Sequence, residues 1–152
     1  MLRSPMPHLA RIPVRWSDLD ALGHVNNAAY LTYCEQARID VLTAIAPEWW
    51  TDEQGPVVAQ ASIRYRRPIR ATGTVLVEVG FETPGRSSLG TTYRLALASD
   101  PATTVAEADA LLVWVDAATG RPTPLPEALR EALARAAETP TGAPARSRDG
   151  AR

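Results

Sequence analysis

Hydrophobic and polar positions alternate from the start of the chain. Across residues 9–17, Ala10, Ile12, Val14 and Trp16 line one apolar face against Leu9, Arg11 and Pro13. That period of two predicts a half-buried strand. Residues 18–27, Asp-Leu-Asp-Ala-Leu-Gly-His-Val-Asn-Asn, hold no sustained period and end in two asparagines, good helix N-caps. From Ala28 to Ala46 the spacing turns helical. Tyr30, Cys34, Ala37, Val41 and Ile45 form one stripe, Leu31 and Leu42 widen it, and Glu35, Arg38 and Asp40 are expected to interrupt it little. Pro47 stops the helix.

Four strand-like runs follow. Val57, Ala59, Ala61, Ile63 and Tyr65 alternate with Val58, Gln60, Ser62, Arg64 and Arg66 until Pro68. Val75, Val77, Val79 and Phe81 oppose Leu76, Glu78, Gly80 and Glu82, and Pro84-Gly85-Arg86-Ser87 reads as a turn. Leu89, Thr91, Tyr93, Leu95 and Leu97 make the third face, and Asp100-Pro101 the next turn. The last run, from about Thr104 to Asp116, carries Ala106, Ala108, Ala110, Leu112 and Trp114 on one side. Short turns favour antiparallel neighbours, and one long amphipathic helix ahead of them can cover a sheet face. The predicted class is α+β, in the order β-α-β-β-β-β. A short second helix is expected from Pro126 to Ala137. The expectation is one domain over residues 1–138 and a disordered tail over 139–152, rich in Pro, Gly, Ala, Ser and Arg.

Composition narrows the classes. The 152 residues are 45% hydrophobic and 22% charged, enough for a core without disulfides. Sixteen basic residues against seventeen acidic ones leave a net charge of −1, which gives no support to nucleic-acid binding. All the basic residues are Arg, so Schiff-base and P-loop lysine chemistry is excluded. One cysteine, Cys34, excludes an intrachain disulfide and a thiolate metal cage, and the two histidines, His8 and His24, leave little scope for another metal site. No metal and no redox cofactor is expected. No apolar run approaches the roughly 18 residues of a membrane span, and Met1-Leu2-Arg3-Ser4-Pro5 lacks a signal-peptide core. The expectation is a cytoplasmic protein with no membrane partner.

The chemistry concentrates in Asp18-Leu19-Asp20-Ala21-Leu22-Gly23-His24-Val25-Asn26-Asn27, between a strand and a helix start. Unpaired N–H groups at a helix N-terminus can hold a carboxylate or a developing oxyanion. A carboxylate delivered a few residues upstream can face the same point and activate water, or attack a carbonyl itself. On the residues alone, two aspartates before a helix also suit Asx-turns and caps.

Trp16-Ser17-Asp18-Leu19-Asp20, then Gly23-His24-Val25-Asn26-Asn27 and Tyr30, resembles the 4-hydroxybenzoyl-CoA thioesterase family of hotdog-fold proteins. The likeness runs on through Glu35, Gln36, Ala37 and Arg38, and the element order extends it over about residues 9–118. The resemblance implies a hotdog fold, a curved antiparallel sheet wrapped around one helix, and hydrolysis of an acyl-CoA thioester to free acid and CoA. Asp20 falls on the family's catalytic carboxylate, as base or nucleophile, and Asp18 on an acidic position that shapes the loop. Asn27 supplies the backbone N–H that polarises the thioester carbonyl. Tyr30 matches an aromatic position beside the acyl pocket, and His24 belongs to the same motif as a candidate substrate contact. Arg86, Ser87 and Ser88 match a turn that supplies phosphate contacts, a role suited to Arg and Ser. A homodimer or homotetramer, with the site between subunits, is implied as well.

Other readings remain open. The same chemistry could act on acyl-carrier-protein thioesters, which Arg64, Arg66 and Arg67 would favour as a docking face, though an exposed strand face is the preferred reading of that cluster. A non-catalytic acyl-CoA-binding module is the other alternative. Cys34 reads as a small core residue, Glu35 as a partner for Arg38, and Trp49-Trp50 as packing or as cover for the acyl pocket.

Overall fold

The computed structural model describes residues 8–138; the expected tail, 139–152, lies outside the described residues. The chain forms β1 (His8–Val14), a single 3-10 turn (Trp16–Asp18), α1 (Asn27–Ile45), β2 (Gln54–Tyr65), β3 (Gly73–Phe81), β4 (Ser88–Leu97), β5 (Asp100–Asp116) and α2 (Glu127–Glu138). The strands make one antiparallel sheet in the order β1-β3-β4-β5-β2. α1 lies across one face of it, packed on β1, β3 and β5. This is the α+β order that the pattern predicted and the hotdog arrangement that the resemblance implied.

Period-two alternation builds the sheet's inner face. Ala10, Ile12 and Val14 of β1 are buried with Val75, Val77, Val79 and Phe81 of β3, Leu89, Thr91, Tyr93 and Leu95 of β4, and Ala106, Ala108, Ala110, Leu112 and Trp114 of β5. The small side chains at 106, 108 and 110 let the helix lie close. Trp114 is fully buried at the far end, where its indole N–H donates to the Trp49 carbonyl at 2.9 Å.

Several expectations need correcting. Trp16 does not extend the β1 face: the chain leaves the sheet at Val14, turns through the 3-10 segment, and leaves Trp16 83% exposed. The alternation of β2 is broken. A bulge at Val58/Gln60 puts Val58, rather than Val57, on the face of Ala61, Ile63 and Tyr65, because an extra residue flips everything before it. β5 begins four residues early, and the hairpin turn sits at Ala98-Ser99 instead of Asp100-Pro101. On α1, Leu31 is partly exposed, while Tyr33 and Arg38 are buried. The helix is embedded between the sheet and the folded-back 18–26 loop, so its buried surface is wider than one stripe.

β2 is an edge strand, and it is largely uncovered. Val58 and Tyr65 on its inner face are 48% and 45% exposed, because α1 packs on β1, β3 and β5 instead. An open edge of 12 residues with apolar side chains is a surface that proteins normally cover.

Candidate active site

The loop between β1 and α1 folds back on itself. Asn26 N–H donates to the Asp18 carbonyl at 2.8 Å, Leu19 bridges Val25, and Asp20 N–H donates to the His24 carbonyl at 2.8 Å. Gly23 closes the turn with φ +73, a left-handed conformation that favours glycine. The returning chain is pinned from outside by Val25 N–H on the Ile69 carbonyl at 2.8 Å. It then enters α1, with Asn26 as N-cap: its side-chain oxygen accepts from Ala28 N–H at 2.9 Å.

The two aspartates have different environments. Asp18 is buried and saturated. It accepts from Arg15 N–H (2.9 Å), Arg15 Nε (3.1 Å), Arg15 Nη2 (2.8 Å) and Tyr33 Oη (2.8 Å). Burial pushes its carboxyl up, but the hydrogen bonds from Arg15 and Tyr33 and the guanidinium charge outweigh it, leaving the group below the usual carboxylate range. Asp20 is half-buried. Its Oδ1 accepts from Leu22 N–H at 2.9 Å and more weakly from His24 N–H at 3.4 Å, while Oδ2 has no partner among the described residues. One oxygen orients the group and the other is open.

Asn27 is the first residue of α1, so its N–H has no intrahelical acceptor. Its carbonyl accepts from Tyr65 Oη at 2.8 Å. Tyr30, one turn on, is buried. Its ring packs edge-on against Tyr65, with centroids 5.1 Å apart, and its hydroxyl accepts from Ile69 N–H at 3.3 Å. Tyr30 thus supports the helix start from beneath. His24 is half-buried, and its main chain brackets Asp20 on both sides.

Asp20, His24, Asn27 and Tyr30 therefore gather at one end of α1. The Arg86-Ser87-Ser88 turn does not join them within one chain. The Ser87 carbonyl accepts from Trp114 N–H at 2.7 Å, and the Trp114 indole donates in turn to Trp49, just beyond the other end of the helix. With 19 residues, α1 is about 28 Å long. α2 braces the turn: Arg130 Nη2 donates to the Gly85 and Arg86 carbonyls.

A buried polar chain went unread in the sequence. Arg38 Nη1 donates to Tyr93 Oη at 3.0 Å, Tyr93 lies 2.7 Å from Thr91 Oγ1, and Thr91 donates to the Ala110 carbonyl at 3.2 Å. Since Thr91 spends its one proton on Ala110, Tyr93 is the donor to Thr91. Glu35 stands 3.8 Å from the other side of the guanidinium. An arginine on a helix looks solvent-bound in a sequence; only the matched hydroxyls on β4 mark it as a core group. Cys34 beside it is buried, and burial pushes its thiol up to about 12, as suits a packing residue. Trp49 is buried with its indole N–H on Thr43 Oγ1 at 3.1 Å, whereas Trp50 is 53% exposed. Among the described residues no three His, Cys, Asp or Glu side chains group as metal ligands, and no helix is long and apolar enough to cross a membrane.

The arrangement has close counterparts. The PA2801 protein from Pseudomonas aeruginosa is 40% identical and superimposes with a TM-score of 0.78, over 84% of this chain and 98% of that one. A thioesterase from Thermus thermophilus, crystallised with coenzyme A and zinc, is 41% identical with a TM-score of 0.71 over the same shares. The 1,4-dihydroxy-2-naphthoyl-CoA thioesterase Slr0204 from Synechocystis, at 18% identity, shares the fold with a TM-score of 0.75 over 83% of this chain and 94% of its own. No curated protein matches the sequence. The thioesterase-like superfamily profile matches residues 14–133, from the last residue of β1 through β5 into the first half of α2. By that match, and by its 40% and 41% identity to the first two of these proteins, the chain belongs to the thioesterase-like superfamily, whose shared chemistry is the hydrolysis of thioesters.

Proposed function

We propose that the protein hydrolyses an acyl-CoA thioester to a free acid and CoA, with Asp20 as general base or nucleophile and the Asn27 N–H as oxyanion donor. The observation that carries this reading is the division of labour between the aspartates. Asp18 has its oxygens committed to Arg15 and Tyr33, while Asp20 offers an open Oδ2 beside a helix start. Either Asp20 removes a proton from water as it attacks the carbonyl carbon, or its oxygen attacks that carbon and water later releases the acid. In both routes the carbonyl oxygen gains charge beside the N–H group, and CoA leaves as the thiol. A relative crystallised with coenzyme A supports the choice of leaving group.

His24 is assigned to the substrate-binding wall near the carbonyl, and Tyr30, expected beside the acyl pocket, backs the helix start from the core at 3% exposure. The substrate lies between two copies, a homodimer or homotetramer, formed where a second chain covers the open β2 edge. The separation of Arg86-Ser87-Ser88 from Asp20 fits this proposal, since that turn reaches the helix start only from another copy. The domain is assigned to residues 1–138, and no cofactor is needed.

A panel of short, long, branched and aromatic acyl-CoAs, read by free-thiol release, tests the function. Cys34 is buried and will not react in the assay. Release from at least one CoA thioester is expected. Release only from acyl-carrier-protein thioesters would move the substrate to the carrier, and saturable acyl-CoA binding without release would make the protein a binding module.

A further inference from the structure

The segment that ends β2 and runs on past it carries Arg64, Arg66, Arg67 and Arg70, four arginines in a chain of net charge −1. Among them only Arg66 is neutralised: its Nε and Nη2 hold Glu107 at 3.2 and 2.9 Å. Arg64, Arg67 and Arg70 are exposed and have no ion pair or side-chain hydrogen bond among the described residues. Glu107, ion-paired to Arg66, also faces Arg64 across the β2–β5 ladder, so Arg67 and Arg70 carry the unpaired charge of the segment.

The backbone beneath these side chains is fixed. Ile69 is 1% exposed and acts as a plug; its N–H donates to Tyr30 Oη and its carbonyl accepts from Val25 N–H. Arg66 and Arg67 N–H groups both donate to the Val105 carbonyl, at 2.8 and 3.1 Å. Arg67 and Arg70 therefore flank a pinned residue that is itself bonded two residues before Asn27. Unpaired guanidiniums on a rigid loop are suited to phosphate, and they stand at the same end of α1 as Asp20. The Arg86 turn of the same chain stands at the other end.

We propose that Arg67 and Arg70 bind the nucleotide phosphates of the CoA moiety at the same end of α1 as Asp20, in the same subunit. This rests on the thioesterase reading above. The loop then recognises the nucleotide half of the substrate, and the carbonyl chemistry lies inward of it.

The test compares wild type, Arg67→Ala/Arg70→Ala and a charge control, Arg11→Ala on exposed β1. For each, KM is measured with an acyl-CoA and with the same acyl group on pantetheine, and free CoA binding is measured by calorimetry without turnover. The double variant is expected to raise KM for acyl-CoA by about three- to tenfold, the range for two exposed charge pairs. CoA binding should weaken equally, and the loss should shrink as added salt screens the wild type. The control should match wild type. Equal KM changes on both thioesters, or CoA binding indifferent to the two arginines, would overturn the proposal. A wild type that binds CoA through these arginines but cleaves no thioester would uphold the site and overturn the thioesterase reading instead.

Discussion

Tyr65 Oη donates to the Asn27 carbonyl at 2.8 Å, tying the end of the open edge strand to the first residue of the central helix. The bond spans 38 residues of sequence, and the Tyr65 and Tyr30 rings meet edge to face. It makes the position of the proposed oxyanion donor depend on β2, the strand that a second copy is proposed to cover.

Tyr65→Phe keeps the ring and removes the hydroxyl. Turnover on the best thioester should fall by about fivefold, the equivalent of one hydrogen bond near 1 kcal/mol. KM should change little. An unchanged kcat would show that the helix start holds its position without β2.

The Arg38–Tyr93–Thr91 chain predicts a stability effect. Tyr93→Phe leaves a buried guanidinium N–H and the Thr91 oxygen without their partner, at a cost of about 1–3 kcal/mol. Each kcal/mol lowers the melting temperature by about 2–4 °C in a chain of this size. A variant that melts with wild type would mean that water or Glu35 replaces the lost bond.

Asp18 sets a pH dependence. Its carboxyl is lower in the folded chain than in the unfolded one, where it titrates at about 3.9. Folding therefore favours the ionised form, and the unfolded state binds more protons as pH falls. The contribution is fully present above the unfolded value and is lost as pH drops through the folded one. Asp18→Asn should melt several degrees below wild type at neutral pH, with the gap closing in acid. A gap that stays unchanged as pH falls far below the ordinary carboxylate range would mean that the group's ionisation is not what stabilises the loop.

How much of this was legible in the sequence depends on how local the cause is. The strict alternations at Val75 to Phe81 and Leu89 to Leu95 produced strands whose buried residues match the structure, because each such strand is covered on one face throughout. β2 failed at the bulge, since Val57 and Val58 are both valines and composition cannot say which one faces inward. The aspartate pair was legible as a loop before a helix. The resemblance assigned the chemistry to Asp20 and the loop to Asp18, but the full saturation of Asp18 was not legible, because beside the local bonds from Arg15 it needs Tyr33, 15 residues downstream, reaching back. The pairing of Arg38 with Glu35 was legible at i, i+3, but its burial was not, because its other partner Tyr93 is 55 residues away. The resemblance assigned Asp20 and the Arg86 turn to one substrate site between subunits; that they lie toward opposite ends of α1 within one chain follows only from the fold.

The central claim is that Asp20 performs the chemistry and Asp18 holds the loop. Turnover of Asp20→Asn, measured beside Asp18→Asn on the best thioester under conditions where both are folded, tests it most directly. Asp20→Asn should keep the wild-type melting temperature within a few degrees and lose about 10²–10⁴-fold in kcat, the range for a missing acid–base group. Asp18→Asn should melt lower and lose less activity. A folded Asp20→Asn protein that turns over at the wild-type rate would contradict the account.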